Sequence, residues 1–214
     1  MLVVNGREAA CEVPVADWFQ HGMTFRGLGK RPKTTKVVLH WTGGLRDATG
    51  LYDTLLSEGL SVHFCVDVNG KVRQYCDADL WCSHAGRLDD GVTSASIDTV
   101  GVEIVNHASD KQLGKVERPI VTDRIHGRDV VHAEFLPEQI ASALALARAL
   151  CAAYKLPYVV PTRMGELITT SMLRGPWERF RGVVGHYHAR RTKNDPGLGI
   201  LRLVGMPAAQ NSLG

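Results

Sequence analysis

Lys36-Val37-Val38-Leu39-His40 is the stretch on which the fold turns. It is short, apolar and partly β-branched, and it stops at an imidazole, so it reads as an inner strand that delivers a histidine to the end of a sheet. Two further stretches repeat the theme. Gly182-Val183-Val184-Gly185-His186 again closes on a histidine, and Val100-Gly101-Val102-Glu103-Ile104-Val105 is a strand of the buried type with one carboxylate among apolar neighbours.

Around these strands the punctuation is helical and hairpin-like. Asp47 is placed to cap a helix running to about Leu60, with Leu51, Leu55 and Leu56 on one face. Val62–Val68 and Lys71–Tyr75 flank Asn69-Gly70, a dipeptide that tolerates the positive φ of a tight turn, and are expected to be antiparallel strands. Pro137 suits a first helical position, and Ile140, Leu144, Ala147, Cys151 and Tyr154 recur at helical spacing behind it. From Asn106 to Phe135 the chain is polar and without period, so a long surface excursion is expected, with His107, His126 and His132 exposed on it. Residues 157–181 have room for one or two short helices between prolines and glycines. The expected fold is α/β, a single domain with a central mixed β-sheet flanked by helices. Residues 1–35 are expected to form an N-terminal extension packed on or leading into the domain, with the basic stretch Gly27–Lys33 a solvated connector. Residues 36–204 form the domain and 205–214 a tail.

Composition narrows the function classes. The chain has 214 residues, 44% hydrophobic and 22% charged, the balance of a globular protein with one core. A net charge of +3 gives no ground for a nucleic-acid partner, yet suits an anionic polymer such as a cell wall. Met1–Pro14 lacks the basic and apolar regions of a secretory signal, so standard secretory export is not expected and synthesis in the cytoplasm is. The longest apolar stretch, Ile140–Ala153, is shorter than the roughly 20 residues that span a bilayer, and no stable membrane insertion is expected. The five cysteines are odd in number and not arranged as CxxC pairs, and read as reduced thiols filling core space.

A single histidine at a strand end is more often a packed rim residue than a metal ligand. Two of them, with Arg191-Thr192-Lys193-Asn194-Asp195-Pro196-Gly197 close behind the second, shift that balance. His186 and His188 also form an HxH pair, a competing ligand set. Glu103 has the alternative of pairing with a buried arginine, and Lys193 that of a surface charge beside a turn.

Taken in order, Val-Val-Leu-His40-Trp-Thr, Ser-His84-Ala-Gly, Val-Gly-Val-Glu103-Ile, Gly-His186, and Lys193 with Asp195-Pro-Gly resemble the type 2 N-acetylmuramoyl-L-alanine amidases. That family includes the phage lysozyme-type amidases and the peptidoglycan recognition proteins, and the resemblance spans roughly residues 36–200. It implies one zinc ion held by His40, His186 and Asp195, the last standing where some relatives have cysteine. It implies that Glu103 takes a proton from the attacking water and returns it to the departing amine of L-alanine, while Lys193 meets the oxyanion on the lactyl carbonyl. His84, His63 and Trp41 fall on the substrate side, although core packing is the default for Trp41, a packing role or one behind the reacting groups outweighs direct catalysis for His63, and a backbone hydrogen bond is the alternative for His84. Relatives with a tyrosine before the residue matching His63 have Val62 here, which removes that tyrosine from the chemistry. The implied partner is peptidoglycan or a soluble muropeptide met by a monomer, the implied role endolysin-like and bacteriolytic. A cytosolic recycling amidase and a non-catalytic peptidoglycan-binding module are the alternatives.

Overall fold

The computed structural model describes residues 1–17, 25, 29–44, 47–107, 113–114 and 116–206. It opens with three short strands, β1 (Leu2–Val4), β2 (Arg7–Ala9) and β3 (Val15–Asp17), then β4 (Lys36–Trp41) and helix α1 (Ala48–Ser57). Next come β5 (Phe64–Val66), β6 (Val72–Gln74), β7 (Thr99–Ile104), β8 (Ile120–Ile125), β9 (Arg128–Ala133) and the long helix α2 (Pro137–Ala153). The chain ends with β10 (Thr162–Arg163), β11 (Glu166–Leu167), α3 (Arg174–Arg179), β12 (Gly182–Gly185) and α4 (Gly199–Arg202).

The central sheet has the order β12-β4-β7-β5-β6-β3. Its first four strands are parallel, β6 runs against β5, and β3 is parallel to β6, so the sheet is mixed. Residues alternate between its faces. Val37, Leu39, Phe64, Val66, Val100, Val102 and Ile104 point to α2, where Ile140, Leu144, Ala147 and Leu150 complete the main core. Val38 and Val184 point the other way, onto Ala85, Leu88, Met172 and Trp177. Cys65 joins Leu51, Tyr52 and Tyr75 under α1. His40 is two residues beyond Val38, so its ring emerges on the face away from α2, at the end where the parallel strands stop.

The two expected helices form where their signals lie. Asp47 accepts a hydrogen bond from the Gly50 amide at 2.9 Å and starts α1, and Pro137 opens α2. In the Asn69-Gly70 turn only Gly70 takes the left-handed conformation, at φ 73°, and a Cβ there would sit 2.7 Å from the Glu138 carbonyl oxygen. All five cysteines are free thiols, four of them buried. Among the described residues no helix is long and apolar enough to cross a membrane.

Three expectations are corrected. The Asn106–Phe135 stretch is not merely an irregular excursion, because β8 and β9 form a six-residue-paired hairpin. Its turn is His126-Gly127, both at positive φ (53° and 71°), the conformation of a two-residue hairpin loop. The buried positions of that hairpin include Asp123 and His132, so no apolar alternation announces it. His107 and His132 are accordingly buried rather than exposed. Residues 108–112 and 115 of this stretch lie outside the described residues. Arg31 does not belong to a solvated connector: it is buried, donates to the carbonyls of Ala78 and Thr99, and approaches the Tyr154 hydroxyl at 3.2 Å. Residues 27–28 of that connector lie outside the described residues. Residues 157–181 hold one short helix, α3, preceded by the small hairpin β10–β11. At the N-terminus Leu2 is fully buried in the main core and the Gln74 amide brackets the Val3 backbone at 2.9 and 2.7 Å.

Candidate active site at the ends of the parallel strands

The strand endings bring His40 and His186 to one place. β4 delivers His40; β12 stops at Gly185 and the chain turns through a short 3-10 segment, His186–His188. The following turn carries Asp195 back against it, held by the Tyr187 amide donating to the Asp195 carbonyl at 3.2 Å. His40 Nδ1 lies 3.0 Å from His186 Nδ1 and 3.1 Å from Asp195 Oδ2, and His186 Nδ1 lies 3.0 Å from the same oxygen. All three side chains are buried.

Three electron-rich atoms at these separations fit a shared cation. A tetrahedral zinc with bonds of about 2.0–2.1 Å spaces its ligands by about 3.3 Å, and two imidazoles with a carboxylate are a set that zinc takes while keeping a position open. Protonation states agree. Burial lowers the His40 pKa to about 4, the adjacent His186 ring adding to the effect and the Asp195 hydrogen bond opposing it. For Asp195 burial alone acts to raise the pKa, but His186 and His40 hold the carboxyl well below the usual carboxylate range. A neutral imidazole and an ionised carboxylate are the forms that ligate metal.

Glu103 is brought to the same place by strand register. It pairs with His40 across β4 and β7, so both side chains leave the same face. Its Oε2 is buried with no hydrogen-bond partner among the described residues. Burial pushes its carboxyl well above the ordinary range, the Asp195 charge adds to this, and the Lys193 ammonium opposes it. Lys193 itself is exposed, on the turn between His186 and Asp195, and its backbone carbonyl accepts from His126 Nε2 at 3.0 Å. The arrangement therefore places a proton-accepting carboxyl and a cation beside the two imidazoles and Asp195. A cavity of about 490 Å³, lined in part by Asp89, His126, Ser171, Arg174 and Arg191, borders the turn that carries Lys193.

Other expected residues are placed differently. His84 stands against His40, its Nδ1 2.9 Å from His40 Nε2. His63 does not face the substrate side: it is fully buried, its Nδ1 accepts from the Gly101 amide at 3.0 Å, and its Nε2 lies 2.9 Å from the Leu80 carbonyl. Trp41 is half-buried and packs on the His132 ring at 4.8 Å between centroids. His188 is outside the cluster, with Nδ1 accepting from the Gly185 amide at 3.0 Å and Nε2 2.8 Å from the Ile168 carbonyl, which removes the HxH pair as a ligand set.

Some residues of the site carried no sequence signal. Asp123 Oδ2 accepts from the Leu198 amide at 2.6 Å and meets His132 Nε2 at 2.9 Å, so the β8–β9 hairpin pins the turn that carries Asp195. A Cβ on Gly197, at φ 83°, would lie 2.7 Å from His132 Nε2, which explains the glycine of Asp195-Pro196-Gly197. Gly101 had a visible signal, as a residue without a side chain inside a run of β-branched ones. A Cβ there would strike the His84 ring at 2.7 Å.

The model of the N-acetylmuramoyl-L-alanine amidase family matches residues 30–198, most of the chain. The chain belongs to this family. No curated protein matches it by sequence. Among solved structures it is similar to the amidase AmiD from E. coli, in complex with anhydro-N-acetylmuramic acid-L-Ala-D-gamma-Glu-L-Lys, at 22% identity and TM-score 0.52; the match covers 86% of the chain. The chain spans 59% of that protein's length. It is similar to the endolysin amidase LysCS from Clostridium intestinale at 14% identity and TM-score 0.54, covering 89% of the chain and 90% of the endolysin. A Drosophila peptidoglycan recognition protein, PGRP-SD, matches at 11% identity and TM-score 0.50, over 90% and 93% of the two chains. At these identities the likeness is one of fold, a single domain with a mixed sheet flanked by helices.

Proposed function

We propose that this amidase hydrolyses the bond between N-acetylmuramic acid and L-alanine in peptidoglycan, with one zinc ion held by His40, His186 and Asp195, in a wall-lytic, endolysin-like role. The observation that carries the reading is the buried Glu103 oxygen, without a partner among the described residues, beside that triad of ligating atoms. When bound, zinc supplies a polarised carbonyl and a water whose pKa is lowered to about 7. Glu103 takes the proton of the attacking water and returns it to the nitrogen of L-alanine as the C–N bond breaks. Its raised affinity for protons suits it to hold one between these steps. The Lys193 ammonium faces the oxygen on which negative charge develops. The products are a lactyl carboxylate on the glycan and a free amine on the stem peptide. The muropeptide bound to the E. coli relative and the endolysin name of the Clostridium one support this substrate class and role.

The test is digestion of purified peptidoglycan with and without a chelator, reading new amino termini on L-alanine. Chelator-sensitive release is expected, faster on polymeric wall than on small muropeptides. Wall binding without peptide release would assign the chain to the non-catalytic modules, and a preference for small muropeptides would assign it to recycling.

A further inference from the structure

The Ser-His-Ala-Gly segment is read from sequence as part of the substrate groove; its hydrogen bonds say something else. His84 Nε2 faces two oxygens of Thr99, the hydroxyl at 3.2 Å and the carbonyl at 3.4 Å. The hydroxyl's only proton goes to the Ala95 carbonyl at 2.8 Å, and the Thr99 carbonyl accepts from Arg31. Among the described residues Nε2 thus meets acceptors and no donor, so the ring carries its proton there and leaves Nδ1 bare. That bare Nδ1 lies 2.9 Å from His40 Nε2, which must then be the donor, leaving His40 Nδ1 with a free lone pair. Nδ1 is the atom that faces His186 and Asp195.

The next residue performs the same service for the second imidazole. His186 Nε2 lies 3.2 Å from the Ala85 carbonyl, an acceptor only, so His186 also presents a bare Nδ1. The dipeptide is fixed by its own backbone, the amides of His84 and Ala85 donating to Ser96 Oγ at 3.3 and 2.9 Å. Room for the His84 ring comes from Gly101, whose missing Cβ would otherwise lie 2.7 Å from its Cγ and Nδ1.

We propose that His84 is a positioning residue: with Thr99 and Gly101 it sets the tautomer of His40, while the Ala85 carbonyl sets that of His186, so that both Nδ1 atoms are ready for the metal before it arrives. The inference rests on the zinc site proposed above and deepens it. A group that orients a ligating imidazole through its other nitrogen is worth about 10–100-fold in metal affinity.

Long-range proton–nitrogen correlation spectra of the metal-free protein decide the tautomer directly. His40 and His186 are expected with protons on Nε2, and a dominant Nδ1–H form of His40 overturns the proposal whether or not zinc binds. Zinc affinity, measured by competition with a chelator, is expected to fall about 10–100-fold in His84→Leu and to recover in His84→Gln, whose amide oxygen can accept from His40 Nε2–H. Thr99→Val, nearly isosteric, is expected to leave His84 of mixed tautomer. A folded His84→Leu variant with native zinc affinity and a raised KM at saturating zinc would return His84 to the substrate groove. If the native protein binds no zinc, the proposed metal chemistry fails, and the spectra still settle the tautomers.

Discussion

At the scale of single residues, Glu103 and Lys193 divide the work by environment. A carboxyl desolvated beside Asp195 holds protons more tightly than a free one, which suits a group that must accept a proton and then release it. Glu103→Gln keeps the shape and all three ligating atoms. It is expected to retain zinc, by metal analysis, while losing about 10²–10⁴-fold in kcat; native turnover would remove Glu103 from the proton path. Lys193→Ala is expected to lose about 10²–10³-fold in kcat with KM little changed, and steady-state kinetics on a soluble muropeptide would show it. An equal loss confined to KM would make Lys193 a ground-state contact. His40 and His186 stood out in the sequence as histidines that end apolar strands, whereas Glu103, Lys193 and Asp195 were given roles only through the family resemblance, since a strand carboxylate and an Asp-Pro-Gly turn have commoner structural readings. His63 could be read either way, because a histidine next to a groove and a histidine bonded to backbone inside the sheet look alike in one dimension, and the structure gives it the packed place.

Among elements, the parallel trio β12, β4 and β7 supplies three of the site's side chains from adjacent strand ends, and the β8–β9 hairpin supplies the support. Asp123 is the contact between the two systems, buried and shared between His132 and the Leu198 amide. Asp123→Ala leaves that amide and the His132 ring without their acceptor, which costs about 1–3 kcal/mol for each buried group so orphaned. Urea unfolding is expected to show the loss, together with weaker zinc binding as the Asp195 turn loosens. Unchanged zinc affinity in a destabilised protein would confine the hairpin's part to the fold. The helices and central strands were readable from periodicity and capping. The hairpin was not, because two of its inward positions are filled by a carboxylate and an imidazole that satisfy each other, which breaks the apolar alternation.

For the molecule as a whole, buried histidines tie stability to pH. Burial lowers the His40 pKa to about 4 and the His188 pKa to about 3, against 6.5 for a free imidazole. Below pH 6.5 the unfolded chain therefore binds protons that the folded chain refuses, and their contribution, whole above 6.5, is lost as pH falls toward the folded values. Glu103 acts in the opposite direction: its carboxyl is held above the usual 4.5, so the folded state carries a proton the unfolded state has released in the window above that value. Zinc-free Glu103→Gln is expected to lose stability steeply from pH 6.5 to 4, by about 1.4 kcal/mol per pH unit for each histidine, and more steeply than the native chain. Flat unfolding midpoints across that range would show that both imidazoles reach water.

The sequence by itself determined the class of fold, the course of the inner strands and the chemical types gathered at their ends, since these follow from hydrophobic period, capping and the order of a few motifs. Only the tertiary structure decided which atoms meet. That His84 turns its bare nitrogen to His40, that Asp123 holds the turn of Asp195, and that His188 spends both nitrogens on backbone all depend on hydrogen-bond partners 3 to 75 residues away, and a side chain's partner across such distances is set by packing that no local pattern encodes.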